Sequence, residues 1–214
     1  RLYPAVRSIL LASITAIIVV GIGLFLAFLT RINAPGWFNR SIQTASLGYA
    51  IPGTVLGLGV LIVLSQFDDF SSQFLNLSFL PILSGSVFAV IFAYSLRFLS
   101  ISFGTFEAEL SRIPKATDMA ASTLGARTFQ LLRLVHLPIL RPALLTASVL
   151  VFVDTMKELP ATLILRPFNF ETLATQVYNY ASVGQIEDAA LPALIIVGIG
   201  IVPVFIATRK LHKH

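Results

Sequence analysis

Charged side chains beside long apolar stretches are the residues of this sequence best placed to do chemistry, and three of them cluster. Asp154, Lys157 and Glu158 lie at the end of an apolar stretch over residues 139–156. Ionisable groups in or at the edge of a membrane span commonly mark the route of a solute. The same spacing also fits an ion pair between Lys157 and Asp154, which would only fasten a loop. Both interpretations stay open, and the three residues are tentative members of a translocation path.

Oxygen-bearing side chains are frequent in the polar segment that follows, where they are Glu171, Tyr178, Tyr180 and Asp188. Carboxylate and phenolate oxygens suit a hard cation. The spacing of these residues does not assemble them into a site, so the metal ligands are unknown. The sequence has no cysteine and only three histidines, which lie at the edges of apolar stretches. A thiolate metal site is excluded, and a membrane-embedded enzyme is not favoured.

The composition shows which elements must position these residues. Hydrophobic residues make up 56% of the 214 residues and charged residues 12%, whereas soluble domains carry about 25% charge. A membrane-spanning helix needs about 20 residues, and four uncharged blocks are long enough: residues 8–30, 41–67, 70–96 and 189–208. A fifth span over residues 139–156 is completed by Arg141 and Lys157, whose long side chains can extend from its ends. The sequence therefore predicts an all-α integral membrane protein with five transmembrane helices.

The distribution of Lys and Arg predicts the orientation of these spans. With a cytoplasmic C-terminus, four basic residues lie outside and eleven lie inside, the latter being Arg31, Arg40, Arg97, Arg112, Lys115, Arg127, Arg133, Arg141, Arg209, Lys210 and Lys213. The net charge of +5 then reflects membrane topology rather than nucleic-acid binding. Five spans place the N-terminus outside, and for this reason we expect the chain to be a fragment that lacks a preceding helix.

The stretch between the third and fourth spans, residues 97–141, is cytoplasmic by this argument. Pro114 can begin a helix, residues 115–124 continue it, and Gly125 suits a left-handed C-terminal cap. A second helical run over residues 128–135 ends at Leu137-Pro138, where the proline marks the start of the next span. The stretch is either an amphipathic hairpin on the lipid headgroups or a short rigid helix that docks into a groove of a cytoplasmic partner.

Residues 120–126, Ala-Ala-Ser-Thr-Leu-Gly-Ala, and residues 135–138, Val-His-Leu-Pro, resemble the EAA loop of binding-protein-dependent ABC importer permeases. Met119 replaces the glutamate of that pattern, and Asp118 is adjacent to it. The resemblance implies an ATPase-coupling loop over residues 107–138. Its members would be Asp118, Met119, Ala120, Ala121, Gly125, Ala126, Val135, Leu137 and Pro138.

Other segments extend the resemblance over most of the chain. Residues 51–54, Ile-Pro-Gly-Thr, and 141–144, Arg-Pro-Ala-Leu, are typical of the MetI-like permease fold. Residues 157–163, Lys-Glu-Leu-Pro-Ala-Thr-Leu, and 165–167, Leu-Arg-Pro, look like the ferric-iron branch. The resemblance implies one permease domain over residues 1–214, the second half of a fused permease whose homologous first half is missing.

The resemblance also implies a division of labour. ATP and magnesium would bind to partner ATPase subunits, since residues 1–214 contain no Gly-x-x-x-x-Gly-Lys-Ser/Thr run; no cofactor is expected on this chain. A periplasmic or lipid-anchored binding protein would deliver the solute to two permease halves in the lipid of the bacterial inner membrane. Ferric iron is the expected solute. The alternatives are thiamine, a polyamine, a phosphonate or sulfate, or a secondary transporter driven without ATP.

Glycine and proline inside the spans have two interpretations. Pro52-Gly53, Gly57 and Gly59 in the second span, and Gly198, Gly200 and Pro203 in the fifth, could break helices at a translocation path. They could instead permit close helix packing through small residues. The two interpretations can coincide.

Overall fold

A computed structural model describes residues 2–32, 36, 42, 44, 46–75 and 83–211. These residues are almost entirely helical, as predicted. The helices are α1 (Leu2–Arg31), a 3-10 turn (Ser46–Ala50), α2 (Gly53–Leu75), α3 (Val87–Arg112), α4 (Lys115–Thr123), α5 (Thr128–Ile139), α6 (Arg141–Met156), α7 (Pro160–Leu165), α8 (Leu173–Ser182) and α9 (Ile186–Leu211).

Four helices in the described part of the chain are long and apolar enough to cross a membrane: α1, α2, α3 and α9. The pair α5 and α6 forms a fifth candidate span, bent by 77°. With that pair counted as one span, the prediction of five is confirmed. The chain is a multi-pass membrane protein.

The predicted boundaries of the third span are wrong. The sequence suggested residues 70–96, but α2 continues to Leu75, and α3 runs from Val87 to Arg112. The prediction ended the span at the first charge, Arg97, whereas α3 carries that charge in its interior because Glu158 pairs with it. Arg97 therefore does not belong to the stretch that was predicted to be cytoplasmic. The predicted orientation then rests on the other ten basic residues that were assigned to the inner side.

Three helices form the centre of the molecule, because α1 packs along both α3 and α6, and α3 also packs against α6. Helices α1 and α3 run in parallel: Gly23 lies beside Ser102, and Arg31 beside Leu110. Helix α2 runs antiparallel to α3. The side chain of Asp68 accepts hydrogen bonds from the backbone just before α3, and the first residue of α2, Gly53, lies beside Arg97.

The two interpretations of glycine and proline are resolved differently in the two spans. The second span is broken at Ile51-Pro52, between the 3-10 turn and α2. At Gly57 a Cβ would lie 3.3 Å from Ala161 Cα, so this glycine also permits close packing on α7. In the fifth span, α9 is one continuous helix through Pro203, so the broken-helix interpretation is wrong there.

Candidate functional site

The helix α4 ends in a glycine turn whose geometry the sequence predicted. Gly125 has φ +85°, in the region that favours glycine because it has no Cβ. The N–H of Gly125 donates to Ser122 O at 3.0 Å, and the N–H of Ala126 donates to Ala121 O at 3.0 Å. These two bonds define a Schellman motif. The turn fixes the angle at which the chain leaves α4 for α5.

Asp118 anchors α4 to the C-terminal end of α1. Its Oδ2 accepts a hydrogen bond from Arg31 Nε at 2.7 Å, and its Oδ1 lies 3.1 Å from His136 Nε2 on α5. Arg31 also donates to the carbonyl oxygens of Leu110 and Ile113, at the end of α3. The Arg31 side chain is only 7% exposed. One carboxylate thus joins α1, α4 and α5, and a hydrogen bond to a charged group contributes about 1.5–3 kcal/mol.

Three large apolar side chains of the hairpin α4–α5 are exposed among polar ones. Met119, at the position where the resembled pattern has glutamate, is 62% exposed, and Leu124 and Phe129 are 89% and 69% exposed. A groove of about 380 Å³ lies between α4, α5 and the end of α1, with Met119 in its wall. Asp118 also lines this groove, where its carboxylate is engaged by Arg31.

Helix α5 contains a wide turn and ends later than predicted. Residues Leu131–His136 form a π-helix, a feature often found at functional sites. The side chain of His136 is fully buried, edge-on to Phe28. Pro138 does not begin the next span, because helical structure continues to Ile139. The bend falls at Leu140, where Pro142 can neither donate a backbone hydrogen bond nor continue the turn without a clash.

The remaining predicted members of the loop lie along this hairpin. Ala120, Gly125 and Pro138 are exposed, whereas Ala121, Ala126, Val135 and Leu137 are partly buried. The structure therefore brings all the predicted loop residues into one helical hairpin at the C-terminal ends of α1 and α3.

The charged cluster at the end of α6 is divided between two partners. Lys157 Nζ lies 2.8 Å from Asp154 Oδ1, one helical turn away, as one of the two interpretations predicted. Glu158 points elsewhere, and its Oε2 lies 3.3 Å from Arg97 Nε in the interior of α3. Of the three tentative path residues, only Glu158 reaches a charge on another helix.

A polar chain continues from this pair across the α3–α7 contact. The backbone oxygen of Glu158 accepts from the Thr162 hydroxyl at 2.7 Å, and that hydroxyl is hydrogen-bonded to Tyr94. Arg97 Nη1 donates to Ile51 O at 2.7 Å, in the break before α2. Arg97 was not among the site residues predicted from the sequence. The available signal was a lone arginine between two uncharged stretches, residues 70–96 and 98–106.

Within the described part of the chain, the two carboxylates of the polar segment after α6, Glu171 and Asp188, are not part of a group of acidic or histidine ligands. Among the described residues there is no group of three or more His, Cys, Asp or Glu side chains that could hold a metal ion. Glu171 accepts from Asn179 Nδ2 at 3.0 Å and lies 3.8 Å from Arg166. Glu171 therefore fastens the start of α8.

Comparison with known proteins gives sequence relatives and structural neighbours. The chain is 29% identical over 177 residues to the Fe(3+)-transport system permease protein FbpB 2 of Haemophilus influenzae, covering 83% of this chain and 32% of that protein. It is 30% identical over 151 residues to a putative 2-aminoethylphosphonate transport system permease protein, PhnV, of Salmonella typhimurium, covering 70% and 52%. The chain thus spans between a third and a half of these relatives' length. No family model matches it.

Two solved structures share the fold. A chain of a bacterial alginate ABC transporter, in complex with an alginate-bound periplasmic protein, aligns with TM-score 0.81 at 14% identity, covering 99% of this chain and 78% of that one. A chain of the inward-facing MetNI methionine ABC transporter aligns with TM-score 0.72 at 16% identity, covering 97% and 92%.

The chain therefore has the MetI-like fold of ABC transporter permeases, as its resemblance to them predicted. Permeases named for ferric transport are among its sequence relatives.

Proposed function

We propose that this chain is a permease part of an ATP-binding-cassette importer and that the hairpin α4–α5 is its docking element for the ATPase. The observation that carries the proposal is the anchoring of α4 through Asp118 to Arg31 and His136, together with three exposed apolar side chains on the hairpin. A helix that only lay on lipid headgroups would not need a buried ion pair to the end of a transmembrane helix.

The anchoring also supports a mechanism of coupling. A partner that moves α4 would pull on Asp118, and therefore on α1 and α5 together, because the carboxylate contacts both. Helix α5 leads into α6 through the bend at Leu140, so the movement would reach the segment that carries Glu158. Changing one dominant conformation into the other requires about 5.5 kcal/mol of differential binding. ATP and magnesium on the partner would supply it.

The exposed surface predicts what kind of partner surface would receive the hairpin. Met119, Leu124 and Phe129 would enter an apolar groove. Because Met119 stands in place of glutamate, an ion pair at that position is not part of the contact. Under this proposal, the hairpin and the C-terminus lie in the cytoplasm, and the binding protein lies outside the bacterial inner membrane.

Ferric iron is the solute that we propose, since three of the relatives are named as ferric or Fe(3+) transport permeases. A 2-aminoethylphosphonate is the second candidate because of the relatives named for its transport. The carboxylate and phenolate oxygens of the outer segment are compatible with a hard cation.

Two experiments test the proposal. The intact protein is purified in mild detergent, and the proteins that accompany it are identified by mass spectrometry. We expect an ATPase with a phosphate-binding loop, and its reproducible absence would contradict the importer assignment. Uptake of radioactive iron and of 2-aminoethylphosphonate is then compared in cells with and without the permease gene. Loss of iron uptake alone supports the ferric assignment, whereas loss of phosphonate uptake alone replaces it with the second candidate.

A further inference from the structure

The break before α2 exposes irregular backbone at membrane depth. Tyr49, Ala50, Ile51 and Pro52 are all exposed on the surface of the chain, and α2 starts only at Gly53. Backbone that is not in a regular helix cannot face hydrocarbon, because its polar groups would lack partners. Such backbone is tolerated only when it is buried in protein or lines a water-filled cavity.

The depth of the break follows from its neighbours on α3. Gly53 and Ile51 both contact Arg97. Arg97 is ten residues from the start of α3, Val87, and 15 residues from its end, Arg112. At a rise of about 1.5 Å per residue, these separations correspond to about 15 and about 22 Å. The hydrocarbon core is about 30 Å thick, so the break lies well inside it.

A charge pair stands directly behind this surface. The Arg97 side chain donates to the backbone oxygen of Ile51, lies over the ring of Tyr49 at 5.8 Å and pairs with Glu158. Its side chain is 17% exposed and that of Glu158 is 8% exposed. Gly53 leaves the space that the carboxylate occupies, since a Cβ there would lie 2.7 Å from Glu158 Oε1.

We propose that residues 49–52 line the water-filled path at mid-membrane and that the Arg97–Glu158 pair sets the net charge beside this path. The carboxylate neutralises the guanidinium charge that a passing cation would otherwise meet. The inference rests on the proposed function and adds the place of the path and two residues that act on its solute. Ile51 already donates to Gly48 O and accepts from Arg97, and water at the break would satisfy the backbone groups that have no partner within the chain. An unpaired Arg97 beside the path would repel a cation at short range, because no carboxylate would cancel its charge.

The position of the path is tested without reference to the solute. The sequence has no native cysteine, so single cysteines are introduced into the intact permease at Tyr49 and Ala50. The controls are Ile17→Cys and Ile201→Cys, which replace side chains that are 74% and 59% exposed on the regular helices α1 and α9. Each variant is treated with a permanently charged methanethiosulfonate in right-side-out and in inverted vesicles.

At least one of the two break positions should react more than tenfold faster than both controls, because the thiolate forms only in water. Reaction at both break positions no faster than at the controls would overturn the inference, since the break would then be covered by protein.

The charge function is tested by comparing iron uptake in four proteins: the wild type, Arg97→Gln, Glu158→Gln and the double variant. Glu158→Gln should lower uptake more than tenfold, because it leaves Arg97 unpaired. The double variant should recover to within about threefold of the wild type, because no net charge remains. Thermal stability in detergent and the amount of protein in the membrane are measured for each variant.

The outcomes separate the inference from the proposed function. If the double variant transports as poorly as Glu158→Gln while both accumulate normally, the carboxylate acts by itself and the charge-balance inference is overturned. If Glu158→Gln fails to accumulate, Glu158→Asp provides the comparison. With the charge kept, uptake should stay within about threefold, and a loss of more than tenfold at normal accumulation overturns the inference. A wild type that does not transport iron contradicts the ferric assignment, whereas cysteine labelling still decides where the path lies.

Discussion

Gly125→Val should uncouple ATP hydrolysis from transport while leaving membrane insertion intact. Gly125 has φ +85° and its Cβ would meet nothing within 4 Å, so the substitution costs backbone strain and no clash. Holding a β-branched residue in the left-handed region costs about 1–3 kcal/mol. A cost of about 2 kcal/mol is roughly a 30-fold change in the population of the native turn. The turn would open, and α4 would lose its fixed direction for docking.

The chain contains a matched control. Gly184 has φ +80°, and a Cβ added there would also meet open space. Gly184 follows α8 in the same Schellman arrangement: its N–H donates to Ala181 O at 3.1 Å, and the N–H of Gln185 donates to Tyr180 O at 2.9 Å. Gly184→Val should therefore carry the same local strain away from the hairpin α4–α5.

Both variants are compared for melting temperature in detergent, co-purification of the ATPase and ATP-dependent uptake in vesicles. We expect similar losses of stability, with ATPase association and uptake lost only in Gly125→Val. Normal uptake by Gly125→Val at normal expression, or equal losses of uptake in both variants, would refute the docking assignment.

Three further outcomes follow from the same contacts. A single cysteine on α4 should react with an impermeant thiol reagent only from the cytoplasmic side and one on α8 only from outside; labelling of α4 from outside in intact cells would reverse the orientation. Asp118→Asn should lower the free energy of unfolding by about 2 kcal/mol, because it weakens a hydrogen bond to the charged Arg31. Glu109→Gln, which removes a charge from an exposed pair, should lower it by less than about 1 kcal/mol. Equal effects of the two variants in thermal melts would contradict the anchoring role of Asp118. Gly53→Ala should lower the melting temperature, because its Cβ would lie 2.7 Å from Glu158 Oε1. Gly59→Ala should leave the melting temperature unchanged or raise it, because the space around its Cβ is open. An unchanged melting temperature for Gly53→Ala would show that the Glu158 side chain can move freely.

The fold was largely predictable because its signals are local. An uncharged block of about 20 residues forms a spanning helix wherever it lies in the chain, since the bilayer requires internal hydrogen bonding. The turn at Gly125 was predictable for the same reason, because positive φ is a property of one residue and its neighbours. The pair of Asp154 with Lys157 is also local, one helical turn apart.

The boundary of the third span and the ion-pair partners of isolated charges depend on residues far away in the sequence. Arg97 appeared to mark the end of a span, because a single charge is costly in hydrocarbon unless something cancels it. The residue that cancels it, Glu158, lies 61 positions later in the chain. Asp118 was predicted as a member of the ATPase-coupling loop, and its partner within the chain, Arg31, lies 87 residues earlier.

The sequence by itself thus determined that this chain is a helical membrane protein with a glycine-closed hairpin between two of its spans, because apolar length and backbone conformation are encoded in contiguous residues. Only the tertiary structure decided which charges neutralise each other, that the second span breaks at Pro52 beside Arg97, and that α4 is fastened to α1. Those features depend on helices that come together in space, and the free energy of a buried charge is set by the partner that the fold brings to it.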